Sequence, residues 1–244
     1  MLKLLLFFIT LFYMYTKQNY IAVCANNYIQ NYADSKILLF EKLYHDNKVT
    51  IYCKAKFNNN YKVYLPKGFI FNKYKDRAYR VEIEHIVPAE NFGRSFSEWR
   101  LGGPQCIADG NPYKGRRCAQ TNSEFRRMEA DLHNLAPAIG AVNAVRKNAR
   151  FGLLPDTPPT FGSCSMKVAN NIAEPPDSAK GFVARTSLYM AHEYPRRYKL
   201  SQSQRQLFEA WDRMFPPNAW ECERAQRIRR IQGNPNPITE SRCR

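Results

Sequence analysis

Residues 82–93, EIEHIVPAENFG, place two titratable side chains, Glu84 and His85, side by side in an apolar, β-branched stretch. Burying a carboxylate and an imidazole there costs free energy unless each group has a partner. Successive side chains of a strand point to opposite faces, which disfavours direct pairing of these two. The stretch therefore predicts a strand that ends in Glu-His. It also indicates that both side chains have a chemical role, since packing a hydrophobic core would not require them.

The composition indicates one sizeable basic domain. The chain has 244 residues, 44% of them hydrophobic, and its fifteen Tyr, fifteen Phe and three Trp argue against disorder. Lys and Arg number 37 against 21 Asp and Glu, which gives a net charge of +16. A solvated basic surface would account for part of this surplus. Its size favours a polyanionic partner, either a nucleic acid or an anionic membrane.

The N-terminal residues have the layout of a secretory signal. Lys3 precedes the apolar run Leu4–Tyr15, and small residues follow it. We predict cleavage after Ala25, a mature domain over residues 26–244, a periplasmic or secreted location, and no stable membrane insertion afterwards. Two alternatives remain, a lipoprotein signal with Cys24 lipidated and an uncleaved membrane anchor.

Cleavage of the signal would leave an even set of cysteines: Cys53, Cys106, Cys118, Cys164, Cys222 and Cys243. In an exported protein such a set predicts three disulfides, with free buried thiols as the alternative. The absence of a C-x-x-C pair and the presence of only four histidines disfavour structural zinc.

Hydrophobic periodicity predicts helices and strands mixed in one α+β domain. Helices are predicted over 26–52, 138–151, 201–215 and 218–233, strands within 61–87 and at 132–137, and loops over 93–124 and 154–180. Ser201 and Gln204 form a candidate capping box. Asn218 and Gly233 are suitable residues to begin and end the last helix.

The region from Glu84 onward carries the chemistry. Two strands and a helix could bring Glu84, His85 and Asn143 together, with Asn143 on the polar face of the helix. Carboxylate and amide oxygens suit a hard divalent ion such as Mg²⁺. A neutral imidazole could take a proton from water, and nearby Arg and Lys could stabilise charge on a phosphate. Together these groups predict a phosphodiesterase.

Two segments, VEIEHIVPAENFG (81–93) and RRMEADLHNLAPAIGAVNAVRKNARF (126–151), resemble the bacterial endonuclease I family of exported nucleases. The resemblance continues through GFVARTSLYMAHEY (181–194) and LFEAWDRMFPPNAWECERAQRIRRIQGNPNP (207–237). It implies a ββα-metal (His-Me finger) core. It also implies metal-dependent cleavage of DNA, and often of RNA, with little sequence preference and with 5′-phosphate products.

The resemblance also implies roles for individual residues. Glu84 corresponds to the metal ligand of the strand, His85 to the general base, and Asn143 to the helical ligand of a single Mg²⁺ ion. Asn134 is the competing ligand. His133, Glu129 and Asp131 are expected to be structural, although a second catalytic histidine and an outer-shell role for the two acids are the alternatives.

An arginine of the loop contacts the scissile phosphate in this family, usually within Gly-Gly-Arg-x-x-Cys. This chain reads Lys-Gly-Arg-Arg-Cys at 114–118, one residue shorter between the arginine and the cysteine. Arg116 is the predicted contact and Arg117 the alternate. A Cys106–Cys118 disulfide would hold this loop.

The remaining basic residues near the motif are predicted to contact the nucleic-acid backbone: Arg94, Arg117, Arg126, Arg127, Arg146, Lys147 and Arg150. We expect a monomeric, sequence-non-specific endonuclease. The alternatives are an exported basic protein that binds nucleic acid without cutting it, and a metal-independent hydrolase with a His85–Glu84 dyad.

Overall fold

The protein is described by a computed structural model that covers residues 25–243. Its helices are α1 (Tyr32–Leu38), α2 (Lys75–Ala78), α3 (Ala89–Gly93), α4 (Ser97–Arg100), α5 (Arg116–Ala119), α6 (Ser123–Glu129), α7 (Gly140–Arg146), α8 (Asp177–Glu193), α9 (Gln202–Met214), α10 (Ala219–Gln232) and α11 (Pro237–Glu240). A π-helical segment (Leu39–Leu43) extends α1, and a 3₁₀ turn spans Leu132–Asn134.

The strands are short and pair in four small sheets. They are β1 (Lys56–Phe57), β2 (Val63–Tyr64), β3 (Val81–His85), β4 (Ile107–Ala108), β5 (Asn111–Pro112), β6 (Leu135–Ile139), β7 (Arg150–Phe151), β8 (Lys167–Ala169) and β9 (Ile172–Glu174). The sheets are β1–β2, β3–β6, β4–β5 and the three-stranded β7–β9–β8. This mixture of helices and strands in one domain confirms the α+β class.

The pair β3–β6 and the helix that follows it position the motif residues. The strands are antiparallel, with Glu84 opposite Ala136 and His85 opposite Leu135. Helix α7 follows β6 directly and packs on both strands. Residues 86–134 lie between the two strands in sequence, so the ββα unit is assembled around a long insertion.

Gly140 lets α7 begin close to its neighbours. A Cβ at this position would lie 2.5 Å from the carbonyl oxygen of Arg77 and 2.8 Å from Oε1 of Glu82. Helix α7 buries Ala141, Val142 and Ala144 and leaves Asn143 partly exposed. It ends at Arg146, short of the predicted 151, because Lys147 has a positive φ of 50°.

The C-terminal helices agree with their predicted caps. Ser201 and Gln204 form a reciprocal capping box on α9. The side chain of Asn218 accepts a hydrogen bond from the Glu221 N–H, and Gly233 ends α10 with φ 85°. Periodicity does not reveal the 17-residue α8, because the helix has no single apolar stripe: every residue from Gly181 to Ala191 is buried.

Other predicted boundaries were wrong. The predicted helix over 26–52 is confined to α1 and its π-helical extension. The two predicted loops contain short elements: α4, α5, β4 and β5 within 93–124, and β8 and β9 within 154–180. These elements have two to four residues each, too few for a periodic signal.

Helix α10 holds the turn before β6 in place. The buried Arg224 donates hydrogen bonds of 2.7 Å to the carbonyl oxygens of both Leu132 and Leu135. Gln232 accepts from the N–H of Leu132 at 2.7 Å and donates to the Asp131 carboxylate at 2.8 Å. Each bond satisfies a buried polar group that would otherwise be costly.

Three disulfides confirm the prediction made from the six cysteines. Cys106 pairs with Cys118 as predicted, and the other bridges are Cys53–Cys164 and Cys222–Cys243. The predicted signal sequence lies outside the described residues, apart from Ala25 at its end. Between residues 25 and 243, no helix has the length and apolarity needed to cross a membrane.

Candidate active site

A cavity of about 470 Å³ lies at the end of β3, beside α7. Four residues predicted to act together line it: Glu84, His85, Arg116 and Asn143. They come from β3, from α5 in the insertion and from α7. The ββα unit and its insertion therefore assemble the predicted set around one opening.

Glu84 is a buried carboxylate with two partners. It is 1% exposed, and its Oε1 accepts a 2.7 Å hydrogen bond from the Tyr52 hydroxyl. Nη1 of Arg146 lies 3.1 Å from the same oxygen. Burial raises the pKa of Glu84, and Arg146 and Tyr52 oppose that increase. Within residues 25–243, Oε2 takes part in no hydrogen bond and is the oxygen that remains for a ligand.

His85 is held by one ring nitrogen. Its Nε2 lies 2.9 Å from the main-chain carbonyl oxygen of Glu129. Because a carbonyl only accepts, the neutral imidazole carries its proton on Nε2 and its lone pair on Nδ1. Burial, together with the nearby positive charges of Arg116 and Arg146, lowers the pKa of His85 to about 3. The ring is therefore unprotonated at neutral pH, as a general base requires.

Asn143 is oriented by a second acidic residue of β3. Its Nδ2 donates a 3.1 Å hydrogen bond to Oε2 of Glu82. Since an ionised carboxylate only accepts, this bond fixes the amide orientation and leaves Oδ1 available. Glu82 is itself held by the guanidinium of Arg77. Burial alone would raise the pKa of Glu82, but the Arg77 guanidinium opposes this effect, and the pKa is lowered.

The competing ligand, Asn134, is already fully engaged. Its Oδ1 accepts from the N–H of Val87 at 2.7 Å, and its Nδ2 donates to the Val87 carbonyl at 2.9 Å. The side chain is completely buried and does not line the cavity. This geometry gives Asn134 the role of joining the turn before β6 to the chain that leaves β3, and it favours Asn143 as the ligand.

Arg116 reaches the cavity, and Arg117 does not line it. The guanidinium of Arg116 pairs with the Glu129 carboxylate and lies 5.3 Å from the centre of the Tyr32 ring. Its side chain is 44% exposed, so it can still meet a ligand. Arg117 instead packs over Tyr113 at 4.4 Å.

The prediction that Arg146 contacts nucleic acid is wrong. Its side chain is 1% exposed. It donates hydrogen bonds of 2.8 and 2.7 Å to the carbonyl oxygens of His85 and Ile86, where strand pairing ends, in addition to its pairing with Glu84. A guanidinium committed to these partners cannot reach a phosphate backbone. Arg146 supports the strand end that carries Glu84 and His85.

The acids expected to be structural have structural partners. Gln120 donates to the Glu129 carboxylate, which also pairs with Arg116. Asp131 accepts from the hydroxyls of Tyr189 and Tyr194, at 2.9 and 2.7 Å, and from Gln232. These bonds order the turn between α6 and β6.

His133 is likewise buried, away from the cavity. Its Nε2 lies 3.3 Å from the carbonyl oxygen of Asn234, and its ring packs on Tyr189. Burial lowers its pKa to about 4. The geometry favours the structural role over that of a second catalytic histidine.

The motif did not indicate Tyr52, Glu82, Tyr32 or Arg77. The last two line the cavity, while the first two hold Glu84 and Asn143. Glu82 lies two residues before Glu84 and so on the same strand face, a spacing that could have revealed it. Arg77 lies just before β3, but no sequence pattern connects it to the site, and Tyr32 and Tyr52 come from separate parts of the chain.

Further cations lie in a neighbouring groove of about 600 Å³, called here the basic groove. Lys147 lines both the cavity and this groove, and Arg94, Arg150 and Lys199 line the groove. Arg126 and Arg127 of α6 are partly exposed, but neither lines the cavity or the basic groove. Among the residues predicted to contact the nucleic-acid backbone, Arg94, Lys147 and Arg150 are thus nearest to the catalytic cavity.

The oxygen donors of the cavity fit a hard divalent cation. Residues 25–243 contain no group of three or more His, Cys, Asp or Glu side chains suited to a metal ion. The available protein donors are the free carboxylate oxygen of Glu84 and the free amide oxygen of Asn143. Mg²⁺ often takes one or two protein oxygens and keeps several waters, so this small donor set suits it.

A neutral imidazole, two hard oxygen donors and an arginine around one cavity are the groups needed for metal-assisted phosphodiester hydrolysis. The sequence matches the Endonuclease I family over residues 13–243. It is similar to an extracellular deoxyribonuclease of Aeromonas hydrophila, with 40% identity over 209 residues that cover 83% of this chain and 86% of the relative.

Two further relatives agree with this match. A periplasmic deoxyribonuclease of Aeromonas hydrophila is 39% identical over 211 residues, covering 83% of this chain and 82% of the relative. Endonuclease-1 of Buchnera aphidicola subsp. Acyrthosiphon pisum (strain APS) is 35% identical over 221 residues, covering 88% of this chain and 82% of the relative. The chain belongs to the endonuclease I family.

Proposed function

We propose that this endonuclease is a metal-dependent, sequence-non-specific enzyme that hydrolyses phosphodiester bonds of DNA. The observation that supports this most directly is the neutral His85 beside the free oxygens of Glu84 and Asn143 in one cavity. RNA is a second substrate of the proposal. The products carry a 5′-phosphate, and the protein acts as a monomer.

Glu84 and Asn143 would hold one Mg²⁺ ion through the oxygens that their other partners leave free. When bound, the cation supplies positive charge that offsets negative charge developing on the phosphate. Tyr52 and Arg146 fix the Glu84 carboxylate, and Glu82 fixes the Asn143 amide. The two ligands are thereby preorganised by their neighbours.

His85 accepts a proton from the attacking water at Nδ1. Its Nε2–H bond to the Glu129 carbonyl fixes the tautomer and the direction of the ring. Arg116 faces the cavity and donates to the phosphate, where it stabilises the charge of the transition state. Glu129 orients both groups, since its carbonyl holds His85 and its carboxylate holds Arg116.

The dyad alternative has no support in the geometry. Glu84 bonds to Tyr52 and pairs with Arg146, while His85 bonds to Glu129, so neither is a hydrogen-bond partner of the other among the described residues. Without a carboxylate on its Nε2, His85 lacks the third member of a triad.

The test is relaxation of a supercoiled plasmid with Mg²⁺, in the presence and absence of a chelator. We expect nicking that the chelator abolishes and excess Mg²⁺ restores. The same assay on RNA tests the second substrate, and ligation of the fragments tests their 5′-phosphates. Binding without nicking would instead identify a DNA-binding protein, and nicking indifferent to the chelator would exclude the metal.

The names of the relatives, extracellular and periplasmic deoxyribonuclease, support a periplasmic or secreted location. Three disulfides agree with an oxidising compartment. We propose that residues 1–25 are the signal for export and that 26–244 form the nuclease domain.

DNA binding should be strongly salt-dependent. With Arg146 buried, seven of the eight cations predicted around the site remain available. Neutralising about five to seven phosphates gives a slope of log K against log salt between about −4.5 and −6.3 for duplex DNA. Fluorescence anisotropy over a salt series measures this slope. A flat profile, or tight binding to one short consensus only, would contradict backbone recognition.

A further inference from the structure

A second groove, with a volume of about 840 Å³, adjoins the catalytic cavity. We call it the aromatic groove after Tyr32, Phe40 and Tyr61, which line it. It shares four wall residues with the catalytic cavity: Tyr32, Ile83, Arg116 and Asn143. A strand whose phosphate lies in the cavity could therefore continue into this groove.

The groove presents apolar and aromatic surface to solvent. Tyr61 is 44% exposed and Ile37 is 55% exposed. The Tyr61 ring lies 4.8 Å from the ring of Phe40, so the two form a tilted aromatic wall. Its volume lies within the range of about 300–1,000 Å³ that accommodates small organic ligands. The rings of Tyr32, Phe40 and Tyr61 do not line the basic groove.

Tyr61 is held in an unusual backbone conformation. Its φ is 59°, in the left-handed region that bulky side chains rarely adopt. Two main-chain hydrogen bonds keep it there, from its N–H to the Asn58 carbonyl and from the Val81 N–H to its own carbonyl. The conformation belongs to the turn between β1 and β2, and it fixes the backbone that places the Tyr61 side chain at the groove.

The charges around the aromatic groove suit a polyanion. Lys36, Arg80 and Arg116 line it, and Glu82 is the acidic residue beside them. Glu82 is already paired with Arg77 and Arg80. A ligand that fits this lining has flat aromatic parts and regularly spaced negative charges. Single-stranded DNA has both, because each base offers a π-face next to a phosphate.

We propose that the aromatic groove binds an unpaired nucleobase of single-stranded DNA, adjacent to the phosphate held in the catalytic cavity. Tyr61 and Phe40 supply the stacking surface, and Lys36 and Arg80 contact the flanking phosphates. A base inside a duplex is already stacked and paired, so the groove favours single strands. This inference rests on the proposed function for the position of the scissile phosphate.

The experiment measures binding of a 12-nucleotide single strand containing 2-aminopurine, and of the duplex of the same sequence, to His85→Ala protein, which is used to prevent cleavage. Adding Tyr61→Ala should weaken single-strand binding about 5- to 100-fold and change duplex binding less than twofold. The quenching of 2-aminopurine on binding should also be lost. Tyr61→Phe should retain both properties, since the ring is preserved.

Tyr28→Ala is the matched control, since Tyr28 is 73% exposed and lines neither groove nor the cavity. Ile37→Glu is the second variant. It places a negative charge in the groove at an exposed site and should weaken single-strand binding in the same selective way. Equal losses for single strand and duplex, or no loss with either variant, would overturn the proposal.

Plasmid nicking by the protein with His85 intact separates this proposal from the proposed function. Normal nicking by Tyr61→Ala, together with unchanged single-strand binding by the Tyr61→Ala variant, rejects the role of the aromatic groove alone. An absence of DNA binding and of nicking in the unmodified protein rejects both.

Discussion

Replacing His85 by Ala should lower the rate of DNA cleavage about 10²- to 10⁴-fold, the usual cost of losing a general base. The neutral ring, fixed through Nε2 to the Glu129 carbonyl, is the proton acceptor in the proposed reaction. DNA binding should persist, because the cations around the site are unchanged. The measurement is single-turnover cleavage of a defined duplex, with binding measured in parallel by anisotropy.

Added imidazole makes this test more specific. The Ala variant leaves a space that opens on the catalytic cavity, so free imidazole should restore part of the rate. His45→Ala is the matched control, because His45 is an exposed histidine that does not line the cavity. A His85→Ala variant within a few-fold of the unmodified rate would exclude the residue as base. A variant that needs only more Mg²⁺ would make His85 a metal-site residue instead.

The pH profile should differ from that of an ordinary histidine. A base is lost as the pH falls through its pKa, which for an unperturbed imidazole is near 6.5. Burial lowers the pKa of His85 to about 3, so the rate of cleavage should show no step near 6.5. A clear step near 6.5 that disappears in His85→Ala would contradict the buried, neutral ring.

Circular dichroism at each pH separates chemistry from unfolding. The buried His85 and His133 have pKa values of about 3 and 4. Below about 6.5 the unfolded chain binds protons that these folded residues do not, so the fold loses stability progressively as the pH falls. Rates should therefore be compared only where the protein remains folded.

Replacing either predicted Mg²⁺ ligand, Glu84 or Asn143, should also cause a large loss of cleavage activity. Glu84→Gln keeps an acceptor for Tyr52 and Arg146 but removes the anionic charge, and Asn143→Ala removes the amide. Each variant should lose more activity than the roughly 10- to 100-fold that changes in outer-shell partners cause. The Mg²⁺ concentration for half-maximal rate should rise. Calorimetric titration with Mg²⁺ should show weakened binding in both variants.

Asn148→Ala is the matched control for Asn143→Ala. Asn148 lines the same cavity just beyond α7, but its side chain bonds to Glu90, whereas that of Asn143 bonds to Glu82. We expect it to retain its Mg²⁺ response. Normal cleavage by Asn143→Ala, or an equal loss in both asparagine variants, would remove Asn143 from the metal site.

The residues that sequence could identify are those whose roles depend on neighbours along the chain. The capping box of Ser201 and Gln204 is complete within four residues, and its prediction is confirmed. Glu84 and His85 stand at the end of one strand, and Asn143 lies on the helix that follows its partner strand. Such local relations can be identified from the sequence even where the predicted ends of the helices are wrong.

The residues that sequence missed depend on contacts between distant parts of the chain. Arg146 resembled one more surface cation, yet its partners are carbonyl groups of a strand end about sixty residues earlier. Tyr52 contacts Glu84 from 32 residues away. Whether an arginine is buried or exposed cannot be read from residue type alone, because burial depends on which main-chain groups lack partners after folding.

The hydrogen bonds from α10 to the turn before β6 have a consequence for when the protein becomes active. Chains are synthesised from the N terminus, so β3, β6 and α7 all leave the ribosome before Arg224 and Gln232. Until those two side chains dock, the carbonyls of Leu132 and Leu135 lack their donor Arg224, and the N–H of Leu132 lacks its acceptor Gln232. The turn that leads into β6 is thus completed only after α10 has been synthesised, so we expect a partly synthesised chain to lack the ordered catalytic strand pair and to leave the DNA of the producing cell uncut.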